Sequence, residues 1–89
     1  MLMLPADIRL ASARSSAHML VRALQGQEAA VIADASALCQ FDSSALAVLL
    51  ECRREAQVLG KTFSVRAMPV KLRNLAVLYG VAELLPAAP

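Results

Sequence analysis

The sequence is short of the side chains that most chemistry needs. Its 89 residues hold one histidine, two cysteines, two phenylalanines, one tyrosine and no tryptophan. With aromatics at 3%, the chain has no stacking platform for nucleic-acid bases. Cys39 and Cys52 are too far apart for a zinc or redox pair, and His18 is distant from both, so no metal site is expected. The two cysteines read instead as small apolar residues in a reducing cytosol. A Gly-Lys-Ser/Thr phosphate loop and a nucleophile elbow are both missing, so neither a catalytic residue nor a cofactor is expected. Glycine and proline are scarce, which excludes a collagen-like or linker-like chain. No uncharged apolar stretch is long enough to span a membrane. The apolar start at Met1 is cut short by Pro5, Asp7 and Arg9 and lacks the basic lead of a secretory signal. A cytoplasmic location is therefore expected. The net charge of +2 is weak and the basic residues are scattered, which does not point to nucleic acid.

What is present is apolar and periodic. Hydrophobic residues make up 58% of the chain, enough for one small core and excluding disorder. Met1–Leu4 and Asp7–Ala11 read as two short strands separated by a turn at Pro5-Ala6. Ser12 is placed to cap a helix running to about Gln25, with His18, Leu20, Val21 and Leu24 near one face and Gly26 as its stop. Ala29–Ala33, ending at Asp34, has the continuous apolar run of a strand covered on both faces. Asp42-Ser43-Ser44 offers side-chain oxygens to the start of a helix that runs to Leu59 and stops at Gly60. Thr62–Arg66 alternates as a strand. Pro69 opens a further helix carrying Leu72, Leu75, Ala76 and Tyr79, and Val81–Leu85 gives one last turn. The alternation predicts a single α/β domain over residues 1–86, with a small mixed sheet and three to four helices mainly on one face. Residues 87–89 are expected to fray.

The Asp42 helix is the informative segment. On a helical wheel Ala45, Leu49, Cys52, Ala56 and Leu59 gather on one side as a core face. Ser43, Ala47, Leu50 and Arg54 gather on the other, with Glu51 beside them. A small apolar stripe with a charged edge suits docking to a partner. The alternative is that Leu50 is a shoulder of the core and the rest is solvated surface. Ser43 also has two readings. It or Asp42 caps the helix, or Ser43 is a phosphorylation site whose phosphate would sit on the helix dipole.

Val31-Ile32-Ala33-Asp34, Phe41-Asp42-Ser43-Ser44-Ala45-Leu46-Ala47-Val48-Leu49-Leu50 and Leu59-Gly60-Lys61 together resemble STAS domains, whose hallmark is a strand ending in Asp, a short loop, and Asp-Ser/Thr-x-Gly-Leu opening a helix. The C-terminal part, with Leu72, Leu75, Ala76, Leu78-Tyr79 and Leu84-Leu85-Pro86, is most similar to the MlaB branch of that family. Those are cytoplasmic STAS subunits of ABC phospholipid transporters concerned with outer-membrane lipid asymmetry. The likeness covers roughly residues 28 to 86, and Ala45 stands where the family usually has glycine. It implies a non-enzymatic module that binds and supports the transporter ATPase, an MlaF-like subunit, in a complex with permease and substrate-binding subunits. The module would then lie peripheral to the inner membrane. Ser43 and Ser44 would sit at the contact, Ala47 and Leu50 would supply apolar area, and Glu51 and Arg54 would form the rim. The other branch implied is an anti-sigma factor antagonist, with Ser43 phosphorylated by a partner serine kinase. Self-association through the exposed stripe is the expectation for the chain without its partner.

Overall fold

The apolar runs close on one another in a computed structural model that describes residues 1–89. Strand β1 (Leu2–Met3) and β2 (Asp7–Ile8) precede helix α1 (Ala13–Leu24). Strand β3 (Ala30–Asp34) and β4 (Gln40–Phe41) lead into helix α2 (Ser44–Val58). Strand β5 (Thr62–Arg66) is followed by helix α3 (Val70–Leu78) and a 3₁₀ turn at Ala82–Leu84. The strands form two small sheets, β1-β3-β5 and β2-β4. Every pairing between these strands is parallel, where a mixed sheet was expected, because the connections between partners cross over. β4 had no apolar signal to announce it, and β2 stops at Ile8 rather than running to Ala11.

Register explains the core. Leu2 faces Ala33, Val31 faces Phe63 and Ala33 faces Val65. All five are buried, together with Leu20 and Leu24 of α1, Leu49 and Cys52 of α2, and Leu72 and Ala76 of α3. The opposite side of the sheet is open: Met3 is 55% exposed and Ile32 and Ser64 are half-buried. β3 is therefore covered on one face only, a correction to the two-sided reading, because the helices gather on the Val31 and Val65 side. In α2 the core stripe is wider than the wheel suggested and takes in Leu46 and Val48, while Leu59 lies outside it and is exposed. Tyr79, placed with the apolar residues of α3, is also exposed.

Pro86 and two of the tail residues, Ala87 and Ala88, run alongside β5. The Val65 N–H donates to the Pro86 carbonyl at 2.8 Å, and the Ala88 N–H donates to the Val65 carbonyl at 2.9 Å. The open edge of β5 satisfies its backbone groups on this segment. Arg73 helps by donating to the Leu85 carbonyl at 2.9 Å.

A lysine closes α1. Gly26 follows the helix, and the Lys61 Nζ donates to the carbonyls of Leu24 (3.0 Å), Gln25 (3.3 Å) and Gln27. An ammonium among the free carbonyls of a helix C-terminus satisfies them and complements the dipole. Lys61 follows Gly60, whose φ of +72° lets the chain reverse out of α2. Lys61→Met is expected to cost about 1–2 kcal/mol in urea unfolding, from the loss of charge-assisted bonds. Stability unchanged within a few tenths of a kcal/mol would show that water replaces the ammonium at no cost.

Candidate partner-docking site

The start of α2 is fixed by one carboxylate. Asp42 Oδ1 accepts the Ser44 N–H at 2.8 Å, which caps the helix. Asp42 Oδ2 accepts the Leu10 N–H at 3.0 Å, which ties in the loop between β2 and α1. The backbone N–H groups of Leu10, then of Ser44, hold the Asp42 carboxyl below its usual range. Because the folded value is depressed, the stabilisation is present above the ordinary carboxylate range and is lost as pH falls through the lowered value. Asp42→Asn is expected to retain one acceptor and lose the other. The variant should be less stable than the wild type near neutral pH in urea unfolding, and the difference should shrink as pH falls through the lowered Asp42 value; equal stability at neutral pH would exclude Asp42 as the fastener.

Ser43 occupies the N-cap position, but its side chain makes no capping hydrogen bond. The expectation that Ser43 shares the cap is thus corrected: its backbone is already helical, at φ −61° and ψ −18°, which leaves the cap to Asp42. Ser12 is similar. It precedes α1, yet its Oγ accepts the Arg9 N–H and donates to the Arg9 carbonyl, closing the turn behind it.

The hydroxyl-bearing side chain of Ser43 is exposed, and Ser44 is half-buried. Ala47, Glu51 and Arg54 are exposed along α2, and Arg54 Nη1 lies 3.6 Å from Glu51 Oε2. Leu50 is half-buried and packs against the core. The shoulder reading therefore holds for Leu50, while its neighbours on the stripe face outward. Leu50→Asp would strain the fold as well as any contact, so Ala47 is the cleaner probe of docking. Ala45 is fully buried. Its methyl packs into the core, so it does not stand between α2 and a docked partner.

The structure adds a wall that the sequence reading missed. Ala47, Val48 and Glu51 of α2 face Ala13, Arg14, Ala17, His18 and Val21 of α1 across an open groove of about 430 Å³. The signal was available in Ala13, Ala17 and Val21, small and apolar residues spaced by one helical turn. His18, grouped with the core face, is exposed on that wall.

Burial pushes the Cys52 thiol up to about 12, which keeps it protonated and inert at neutral pH. No group of three or more His, Cys, Asp or Glu side chains is arranged to hold a metal ion. A second fastened carboxylate, Asp34, ends β3 and accepts the Ser36 N–H at 2.9 Å. Bonds from Ser36, backbone first, hold it below the usual carboxylate range. It shapes the loop leading to β4.

A family model described as "Mlab, STAS domain" matches residues 1–86. The chain belongs to the STAS domain family. Domains of this family are generally binding and regulatory modules. No curated protein matches this STAS domain in sequence. Its fold is similar to that in the "Structure of the Anti-Sigma Factor Antagonist SpoIIAA in its Unphosphorylated Form", with a TM-score of 0.72 and 15% identity. The match covers 98% of this STAS domain and 76% of that chain. At that identity the likeness speaks for the fold alone. No helix of this STAS domain is long and apolar enough to cross a membrane.

Proposed function

We propose that this STAS domain is the non-enzymatic subunit that binds and supports the ATPase of an ABC phospholipid transporter acting on outer-membrane lipid asymmetry. The observation that carries the reading is the family model, whose description names Mlab and which runs over residues 1–86. The exposed side of α2 is the docking face. Ser43 and Ser44 lie at its start, Ala47 supplies flat apolar area and the Glu51–Arg54 pair forms a rim. A small residue at the centre of such a face allows close approach, and the flanking charges set register. Through its partner the domain would sit on the cytoplasmic side of the inner membrane, in a complex with permease and substrate-binding subunits.

A second reading has its own observation. Ser43 is exposed, its side chain makes no cap bond, and the fold is similar to that of SpoIIAA. In that reading the domain is an anti-sigma factor antagonist whose Ser43 is phosphorylated by a partner kinase, placing negative charge at the N-terminus of α2. Recovery of the tagged chain from its own cells, followed by mass spectrometry, separates the two. An ABC ATPase with its permease is the expected companion. A serine kinase or an anti-sigma factor in its place, with phosphate on Ser43, would replace the first reading by the second.

A further inference from the structure

The charge on α1 has no counterpart within the chain. No acidic residue occurs between Asp7 and Glu28. Arg14, His18 and Arg22 follow one another at single-turn spacing along α1, all exposed. None of the three makes an ion pair or a side-chain hydrogen bond, whereas Arg9 is held by Asp7 at 2.7 Å and Arg54 by Glu51. Arg22 lies in the last turn of α1, where a cation complements the helix dipole, but Arg14 lies in the first turn, where a cation opposes it, and nothing inside the domain accounts for Arg14. Arg14 and His18 also form one wall of the α1–α2 groove, and the opposite wall carries Glu51. Between the walls the lining is Ala13, Ala17, Val21, Ala47 and Val48.

We propose that this groove seats an amphipathic helix of a partner protein, with small apolar side chains on the alanine-lined floor and a row of carboxylates along Arg14, His18 and Arg22. A protein segment suits the site better than a polyanion, because a helix can confine its carboxylates to the Arg14 edge and turn apolar side chains toward the Glu51 wall, whereas the phosphates of a lipid surface or a nucleic acid would face Glu51 as well. The alanines leave room for the ridge of a third helix packed against two. The proposal rests on the reading of α2 as a docking face, since Ala47 and Glu51 belong to both, and it names the chemistry of the element that docks.

Site-specific photo-crosslinking in the native cells tests it, with His18→benzoylphenylalanine on the groove wall and Arg54→benzoylphenylalanine on the α2 rim. The expected crosslink from position 18 falls in a helical segment of the partner with Asp or Glu at single-turn spacing along one edge. The double variant Arg14→Glu, Arg22→Glu, folded by circular dichroism, should lower that crosslink by about tenfold or more. A crosslink from position 54 with none from position 18 would overturn the groove and leave the α2 docking face standing. No crosslink from either position would overturn both. A segment without an acidic edge, a second copy of this chain, or a yield that survives the charge reversal would each overturn the proposal.

Discussion

Leu49→Ala is expected to destabilise the domain by about 2–5 kcal/mol, the cost of a cavity in a core that cannot collapse around it. Leu49 is fully buried on α2, at the level where the helix meets the rest of the core. A domain of this size has a total stability on the order of 5–15 kcal/mol, so the variant would lose a large fraction of it. Urea unfolding followed by circular dichroism reads the effect as a shift of the midpoint at unchanged slope. Val58 lies on the same helix but is 73% exposed, and Val58→Ala should stay within about 0.5 kcal/mol. A loss below about 1 kcal/mol for Leu49→Ala would mean that α2 does not carry the core.

The second large effect concerns binding. Ala47→Lys should leave the fold unchanged, because Ala47 is exposed and lysine is a good helix former. It places a long charged side chain on the flat part of the docking face and into the α1–α2 groove. Steric exclusion and an unpaired charge at the centre of an interface typically cost about 2 kcal/mol or more, roughly thirtyfold in affinity. The measurement is the amount of ATPase recovered with the tagged variant against the wild type, with thermal unfolding as the control for folding. Equal recovery from a folded Ala47→Lys protein would remove this face from the account.

The order of the elements was legible because the local signals were strong and agreed. Gly26, Gly60 and Gly80 follow the three helices, and the Thr62–Arg66 alternation gave a strand with those bounds. The helix at Asp42 was legible from its cap-forming residues and its wheel. The parts that were not legible depend on long-range pairing. The two-residue strand β4 exists only because it meets β2, so its segment alone carries no pattern, and the same pairing ends β2 at Ile8, short of its expected bound. The attachment of residues 86–88 to Val65 depends on an unpaired sheet edge, which no local composition reveals. The same holds for Lys61, thirty-odd residues distant from the carbonyls it satisfies.

At the site, the residues on α2 were legible and their partners were not. The helical period put Ser43, Ala47 and Arg54 on the outward side, where the structure has them. Periodicity could not decide between Leu50 as contact and Leu50 as core shoulder, because it sits at the boundary of the buried arc. Asp42 and Ser43 were indistinguishable as caps until the backbone of Ser43 was seen to be helical. The second wall of the groove belongs to α1, and only the packing of α1 against α2 brings it alongside.

ATP hydrolysis by the recovered transporter complex reads whether the domain supports its ATPase. The ATPase isolated from cells lacking this STAS domain is expected to be less completely assembled and to hydrolyse ATP more slowly. Adding back the wild-type domain should restore both, and adding Ala47→Lys should not. Assembly and hydrolysis that are the same with and without the domain would contradict the account.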